Sequence, residues 1–251
     1  MDNPRVAIPR IYSTQPLRPD SDVVLTGNAA NHVSRVLRLT AGDELRLFHG
    51  DGQDYAARIE AAVSGGLRVR VTSSQPVRTE SSLQVILMQG ICRGQKMDLV
   101  IQKATELGVR AILPLRCERS VVRLQGDRAL RRRDHWFSVA AGAAEQCGRA
   151  IVPQVHPVAT FDAAVATLPD GAPRILLDPE ADGGLGQHAP GGGAIVLLTG
   201  PEGGLTPAEH RAALQAGFTG VRLGPRVLRT ETAPLAALSI LQYLHGDLAG
   251  A

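Results

Sequence analysis

Leu197-Leu198-Thr199-Gly200-Pro201-Glu202-Gly203-Gly204-Leu205-Thr206 and Leu223-Gly224-Pro225-Arg226-Val227-Leu228-Arg229-Thr230-Glu231-Thr232-Ala233 are the two segments whose reading decides the fold. In each, an apolar run of the buried-strand type ends in Gly and Pro before a helical pattern begins. Glycine reaches backbone conformations closed to other residues and brings no side chain, while proline fixes φ. Both loops therefore present bare backbone to a ligand. The first leads into Thr206-Pro207-Ala208-Glu209, the form of a capping box with proline at the first helical position, which predicts a helix there. The second leads through Thr230 and Thr232, either a candidate N-cap, into Leu235, Leu238, Leu241 and Leu244. That apolar stripe at helical spacing predicts a final helix ending near Gly246. Neither loop carries G-x-x-x-x-G-K-[ST] or G-x-G-x-x-G, which disfavours a phosphate-loop nucleotide enzyme.

Working outward, residues 83–91 read as an apolar strand, 95–107 as a helix closed by Gly108, 111–115 as a strand and 127–146 as a long helix. Strand-like runs recur at 174–177, 194–198 and 220–223, with helices at 161–168 and 207–216. Such alternation predicts an α/β domain with a mostly parallel sheet, whose ligands bind beyond the carboxyl ends of the strands, where both loops fall. Residues 183–193, with six glycines and a proline, read as a mobile surface loop.

The first 75 residues have another rhythm. Val23-Val24-Leu25 and the runs at 44–48, 55–59 and 67–71 are short strands separated by Gly42-Asp43, Gly50-Asp51-Gly52 and Gly65-Gly66, with an amphipathic helix over 28–39. The reading is a small barrel-like β module over 1–75, a linker at Ser73-Ser74-Gln75-Pro76, and a second domain over 77–251.

Composition sets wider bounds. No apolar run approaches the roughly 20 residues that span a bilayer, and the start of the chain, with Asp2, Pro4, Arg5 and Pro9, lacks a signal-peptide core, so a cytoplasmic protein without membrane contact is expected. Cys92, Cys117 and Cys147 are widely spaced without C-x-x-C, and are expected to be reduced and structural, with no metal site. A net charge of +3 permits contact with a polyanion but does not argue strongly for it. Aromatic residues are only 3% of the chain, too few for a platform that stacks several bases, so any contact with a nucleic acid would rest on arginine and shape.

Four further segments complete a pattern with the two loops: Lys96-Met97-Asp98-Leu99-Val100-Ile101-Gln102-Lys103-Ala104-Thr105-Glu106-Leu107-Gly108-Val109, Glu145-Gln146-Cys147-Gly148-Arg149-Ala150-Ile151-Val152-Pro153, His32-Val33-Ser34-Arg35-Val36-Leu37-Arg38-Leu39-Thr40-Ala41-Gly42-Asp43 and Pro9-Arg10-Ile11-Tyr12. Together, and over most of the chain, they resemble the SPOUT class of S-adenosylmethionine-dependent RNA methyltransferases. Within it they resemble the family that methylates N3 of one uridine in small-subunit ribosomal RNA, ribosomal RNA small subunit methyltransferase E. The resemblance implies an α/β domain with a C-terminal trefoil knot, a PUA-like RNA-binding β-barrel before it, S-adenosylmethionine as cofactor, 16S ribosomal RNA in the small subunit as substrate, and a homodimer. A ribose 2′-O methyltransferase and a catalytically silent RNA-binding or assembly protein are the competing readings.

Under this reading Leu177, Leu198, Thr199, Gly200, Gly203, Leu223, Gly224 and Leu228 are the candidate cofactor-binding residues, the leucines covering the adenine faces. Arg229 is the candidate to stabilise negative charge on the uracil oxygens once N3 loses its proton. Glu202 is the candidate carboxylate for orienting groups or accepting that proton, with packing at a helix N-terminus as its alternative. Arg10, Arg35, Arg38 and Lys96 are the candidate phosphate contacts, solvated helix faces being the alternative for the middle two.

Overall fold

The computed structural model describes residues 8–187 and 193–250. The reading of the first residues lies outside that range, as does the centre of the glycine-rich segment. The chain divides into two compact units, one of Met1–Glu80 with Ala144–Val152, the other of Ser81–Ala143 with Pro153–Ala251.

The first unit is a five-stranded sheet in the order β1-β3-β4-β5-β2, from β1 (Arg10–Tyr12), β2 (Ser21–Thr26), β3 (Glu44–Phe48), β4 (Gln53–Val63) and β5 (Gly66–Pro76). Alternation places its core: Tyr55, Ala57 and Ile59 of β4 and Leu67, Val69 and Val71 of β5 point inward, against Ile11, Val33, Leu45 and Leu47. The expected linker is instead the far end of β5, where Ser73, Ser74, Gln75 and Pro76 pair with Ala56, Tyr55, Asp54 and Gln53. These residues are polar because that stretch is exposed. The expected helix over 28–39 is one short turn, α1 (Gly27–Asn31), that widens into a π-helical turn, His32–Val36. Arg38, with φ of 57°, ends it.

Arg10 corrects an expectation. Its Nε and Nη2 donate to the Asp54 carboxylate at 2.6 to 3.2 Å, Nη1 to the Ala144 and Glu145 carbonyls at 3.0 and 3.5 Å, and Nη2 also to Arg149 O at 3.1 Å. All five N–H donors of a guanidinium are thereby occupied, and Asp54 is buried, where an unpaired carboxylate is costly. Arg10 is consumed inside the unit and has no donor left for a phosphate. The returning 144–152 segment is held the same way. Tyr12 N donates to Glu145 Oε1 at 2.8 Å, and Arg149 pairs with Glu80 at 2.7 Å.

The second unit is an all-parallel sheet in the order β11-β9-β10-β6-β7-β8, from β6 (Gln84–Gly90), β7 (Ala111–Leu115), β8 (Gln154–Val155), β9 (Arg174–Leu177), β10 (Ala194–Thr199) and β11 (Phe218–Val221). β7 and β10 are buried almost throughout, as strands covered on both faces are. The helices are α2 (Lys96–Glu106), α3 (Gly126–Cys147), α4 (Phe161–Val165), α5 (Pro207–Gln215) and α6 (Thr232–His245). The capping box of α5 forms as read: Glu209 N donates to Thr206 Oγ1 at 3.2 Å and Thr206 N to Glu209 Oε2 at 2.8 Å. Neither candidate threonine caps α6, whose N-cap position is Glu231. The buried Gln242 of α6 donates to Leu107 O at 3.1 Å, closing α2, and accepts from Ser81 Oγ at 2.7 Å.

Candidate active site

The loops after β9, β10 and β11 border one cavity of about 950 Å³. Six of the eight expected cofactor residues line it, namely Leu177, Thr199, Gly200, Gly203, Leu223 and Leu228. Leu198 lies beneath it, fully buried in the core, and Gly224 is not among its lining residues.

Each glycine has a different reason. A Cβ on Gly200 would come within 3.1 Å of Leu205 N, and one on Gly203 within 2.9 Å of Arg119 Cβ, so the first loop folds back on its own backbone at Gly200 and packs against Arg119 at Gly203. Gly224 has open space around it but a φ of +73°, so its need is conformational. Gly90, at the end of β6, was not singled out in the sequence. A Cβ there would stand 2.4 Å from Pro201 N, so the first loop can cross β6 only over a glycine.

The loops are pinned by residues the sequence reading left aside. Thr230 Oγ1 donates to Gly200 O at 2.7 Å, tying the second loop to the first, and lies 3.4 Å from Gln89 Nε2 and 3.5 Å from Cys92 Sγ. Burial pushes the Cys92 thiol up to about 11 and the Cys117 thiol up to about 12, so both stay protonated at neutral pH. Arg119 Nη1 donates to Gly203 O at 3.2 Å and Leu205 O at 3.3 Å. Asp178, just beyond β9, accepts from or shares a proton with His210 Nε2 at 2.8 Å and accepts from Glu180 N at 2.9 Å. Its position at a strand's carboxyl end was the available signal.

Charge gathers at one side of the cavity. Lys96 Nζ stands 3.1 Å from Glu231 Oε2 and 3.9 Å from Glu202 Oε1. Arg229 lines the cavity with its side chain 81% exposed, and its Nη1 is 3.9 Å from Glu231 Oε1. Desolvation pushes the Glu231 carboxyl up, but its own backbone N–H, Lys96 and Arg229 outweigh this and hold it below the usual range. Glu202 Oε1 accepts from Arg93 N at 3.0 Å, while Oε2 is buried without a hydrogen-bond partner among the described residues. The position of Lys96 between two carboxylates suits holding them more than meeting a phosphate. Arg35 and Arg38 are exposed on the first unit. Among the described residues no group of three or more His, Cys, Asp or Glu could hold a metal ion, and no helix is long and apolar enough to cross a membrane.

Residues 79–242 match the family model described as an RNA methyltransferase domain, and residues 25–72 match that of the RNA methyltransferase PUA domain. The chain is 34% identical to ribosomal RNA small subunit methyltransferase E of Bacillus subtilis, covering 89% of this chain and 92% of that protein. It is 35% identical to the protein of the same name from Mycobacterium tuberculosis, over 90% of this chain and 88% of the other. Among solved structures, ribosomal RNA small subunit methyltransferase E from Neisseria gonorrhoeae bound to S-adenosyl methionine superposes with a TM-score of 0.90 at 38% identity, covering 96% of this chain and 99% of the other. A putative methyltransferase from Legionella pneumophila in complex with the same cofactor gives a TM-score of 0.88 at 36% identity, covering 97% and 100%.

Proposed function

The chain belongs to the ribosomal RNA small subunit methyltransferase E family, and from that premise we propose that it transfers a methyl group from S-adenosylmethionine to N3 of one uridine in 16S ribosomal RNA. The observation that carries the reading is the cavity, where two glycine-opened loops, tied by Thr230, meet a charged rim. Its residues fit the cofactor. About 950 Å³ lies within the range of small-molecule sites, Gly200 and Gly203 expose backbone donors and acceptors, Leu177, Leu223 and Leu228 suit a flat base, and Asp178 offers a carboxylate to hydroxyls. When bound, the cofactor supplies a methyl carbon already made electrophilic by its sulfonium.

The chain's own part is to bring the uracil into line and to favour loss of its N3 proton. Arg229, always protonated, stabilises the negative charge that spreads onto the flanking uracil oxygens. Glu231, held ionised, sets the position of Arg229 and Lys96. Glu202 keeps one carboxylate oxygen uncommitted and is the candidate to orient the imide or accept its proton. The target uridine would be splayed from its stack to reach this rim. Arg35 and Arg38 of the PUA-like module would contact phosphate, being exposed and on a π-helical turn and its end.

Family membership also supports a trefoil-knotted second domain, a homodimer and a cytoplasmic setting. For the dimer there is a direct support in α6, where Ile240, Tyr243 and Leu244 leave an exposed apolar face. The test is methyl transfer from labelled S-adenosylmethionine to small subunits from cells that lack the modification. Label should enter 16S ribosomal RNA; label on transfer RNA alone, or on none, would overturn the assignment.

A further inference from the structure

Residues 116–134 hold seven arginines, at 116, 119, 123, 128, 131, 132 and 133, against Glu118, Asp127 and Asp134. This short stretch has a net charge of +4, while the whole chain has +3. Three of the arginines are engaged within the chain. Arg119 holds the carbonyls of Gly203 and Leu205, Arg133 pairs with Asp134, and Arg132 lies 5.9 Å over the Trp136 ring. Arg116, Arg123, Arg128 and Arg131 are exposed, and no hydrogen bond or ion pair joins their side chains to any described residue.

Arg128, Arg131 and Arg132 recur at i, i+3 and i+4 along α3, so they share one helix face, with 128 and 131 about 4.5 Å apart along the axis. Like charges at that spacing destabilise an isolated helix by a few tenths of a kcal/mol per pair. Among the described residues no ion pair is formed by Arg128 or Arg131 to offset the repulsion, whereas a polyanion would offset it. The cluster also reaches the cavity, because Arg119 both lines it and holds the first loop. Arginine forks bind phosphate oxygens in pairs, which suits them to a nucleic-acid backbone.

We infer that the stretch from Arg123 through Arg131, on the loop before α3 and its first turns, is a phosphate-binding surface for the substrate RNA, additional to the PUA-like module. The inference rests on the methyltransferase reading above and identifies where the strand leading to the target base is held. The contacts are sequence-independent and position the RNA, leaving the choice of base to the cavity.

The test compares the full-length Arg128→Gln/Arg131→Gln variant with Arg58→Gln/Arg70→Gln, which removes the same charge from arginines already paired with Glu44 and Asp22. The probe is small subunits from cells lacking the modification, which carry the ribosomal RNA unmodified, with affinity measured across a series of salt concentrations. The Arg128/Arg131 variant should bind more weakly, with the log–log salt slope shallower by about 1.4 to 1.8 for two lost phosphate contacts. Its KM for RNA should rise with kcat and S-adenosylmethionine affinity unchanged, a pattern that loss of folding would not give. The control should keep the parental slope. If the parent methylates the RNA and the two variants behave alike, the surface is overturned and the functional reading stands. If the parent neither binds nor methylates the RNA, the functional reading falls, and this surface with it.

Discussion

Arg229→Ala is the substitution that most sharply separates chemistry from binding. The side chain is 81% exposed, and its ion pair with Glu231 is at 3.9 Å. Surface pairs of this kind contribute about 0–1 kcal/mol, so the variant should fold normally. The effect on the reaction is set by the dielectric around the reacting pair. Two unit charges about 4 Å apart interact by about 1 kcal/mol in water and about 4 kcal/mol at an effective dielectric near 20. In the free chain Arg229 is nearer the first limit; with RNA covering the rim it moves toward the second. Glu231 offsets part of the gain. A loss of roughly 10²–10³ in the chemical step follows, the range found for removal of one preorganised donor. Arg229→Lys should recover only part, since an ammonium lacks the planar fork. Single-turnover methylation at saturating cofactor measures this step directly, and titration calorimetry with S-adenosylmethionine measures binding. Near-parental turnover in Arg229→Ala would refute the clamp, and a loss confined to cofactor affinity would reduce Arg229 to a wall of the cavity.

Three other outcomes follow from the geometry. Gly200→Val should sharply weaken S-adenosylmethionine binding because its Cβ meets the Leu205 amide at 3.1 Å, whereas Gly224→Val, with open space but φ of +73°, should show its cost mainly in the melting temperature; calorimetry and thermal denaturation distinguish the two. Asp54→Ala should destabilise the first unit by about 3–5 kcal/mol by leaving Arg10 in its part-buried site without its carboxylate, which denaturant titration would register as a lower midpoint. The Glu231 carboxyl is held below its ordinary value of 4.5 in the folded chain, so its contribution to stability is present above that value and lost as pH falls through the lower, folded one. Glu231→Gln should therefore flatten the acid limb of a stability–pH profile and leave the neutral region nearly parallel to the parent; an unchanged acid limb would argue against the pairing.

Much of this was legible in the sequence because strong local signals agreed with the tertiary structure. The capping box at Thr206 and Glu209 and the apolar runs of β6, β7, β9 and β10 placed the second unit's elements to within a few residues. The two glycine-proline loops located the cavity because they combine bare backbone with positions at strand carboxyl ends. What stayed hidden depends on contacts distant in sequence. Arg10 looks like any exposed arginine until Asp54 and the 144–152 carbonyls surround it. Ser73-Ser74-Gln75-Pro76 has a linker's composition, yet a strand on an exposed edge of pairing needs no apolar face. Gly90 under Pro201, Arg119 on Leu205, Thr230 on Gly200, the Asp178–His210 pair and Glu202 on Arg93 act across gaps of 30 to 111 residues, and no local pattern encodes such partners.

The central claim is that the cavity rim directs methylation to the uracil N3. It is tested most directly by incubating the chain with isotopically labelled S-adenosylmethionine and unmodified small subunits, digesting the 16S ribosomal RNA to nucleosides, and identifying the labelled product by mass spectrometry. The account predicts 3-methyluridine at a single position, formed by the parent and greatly diminished with Arg229→Ala. A ribose-methylated nucleoside, or a labelled base other than uracil, would contradict it.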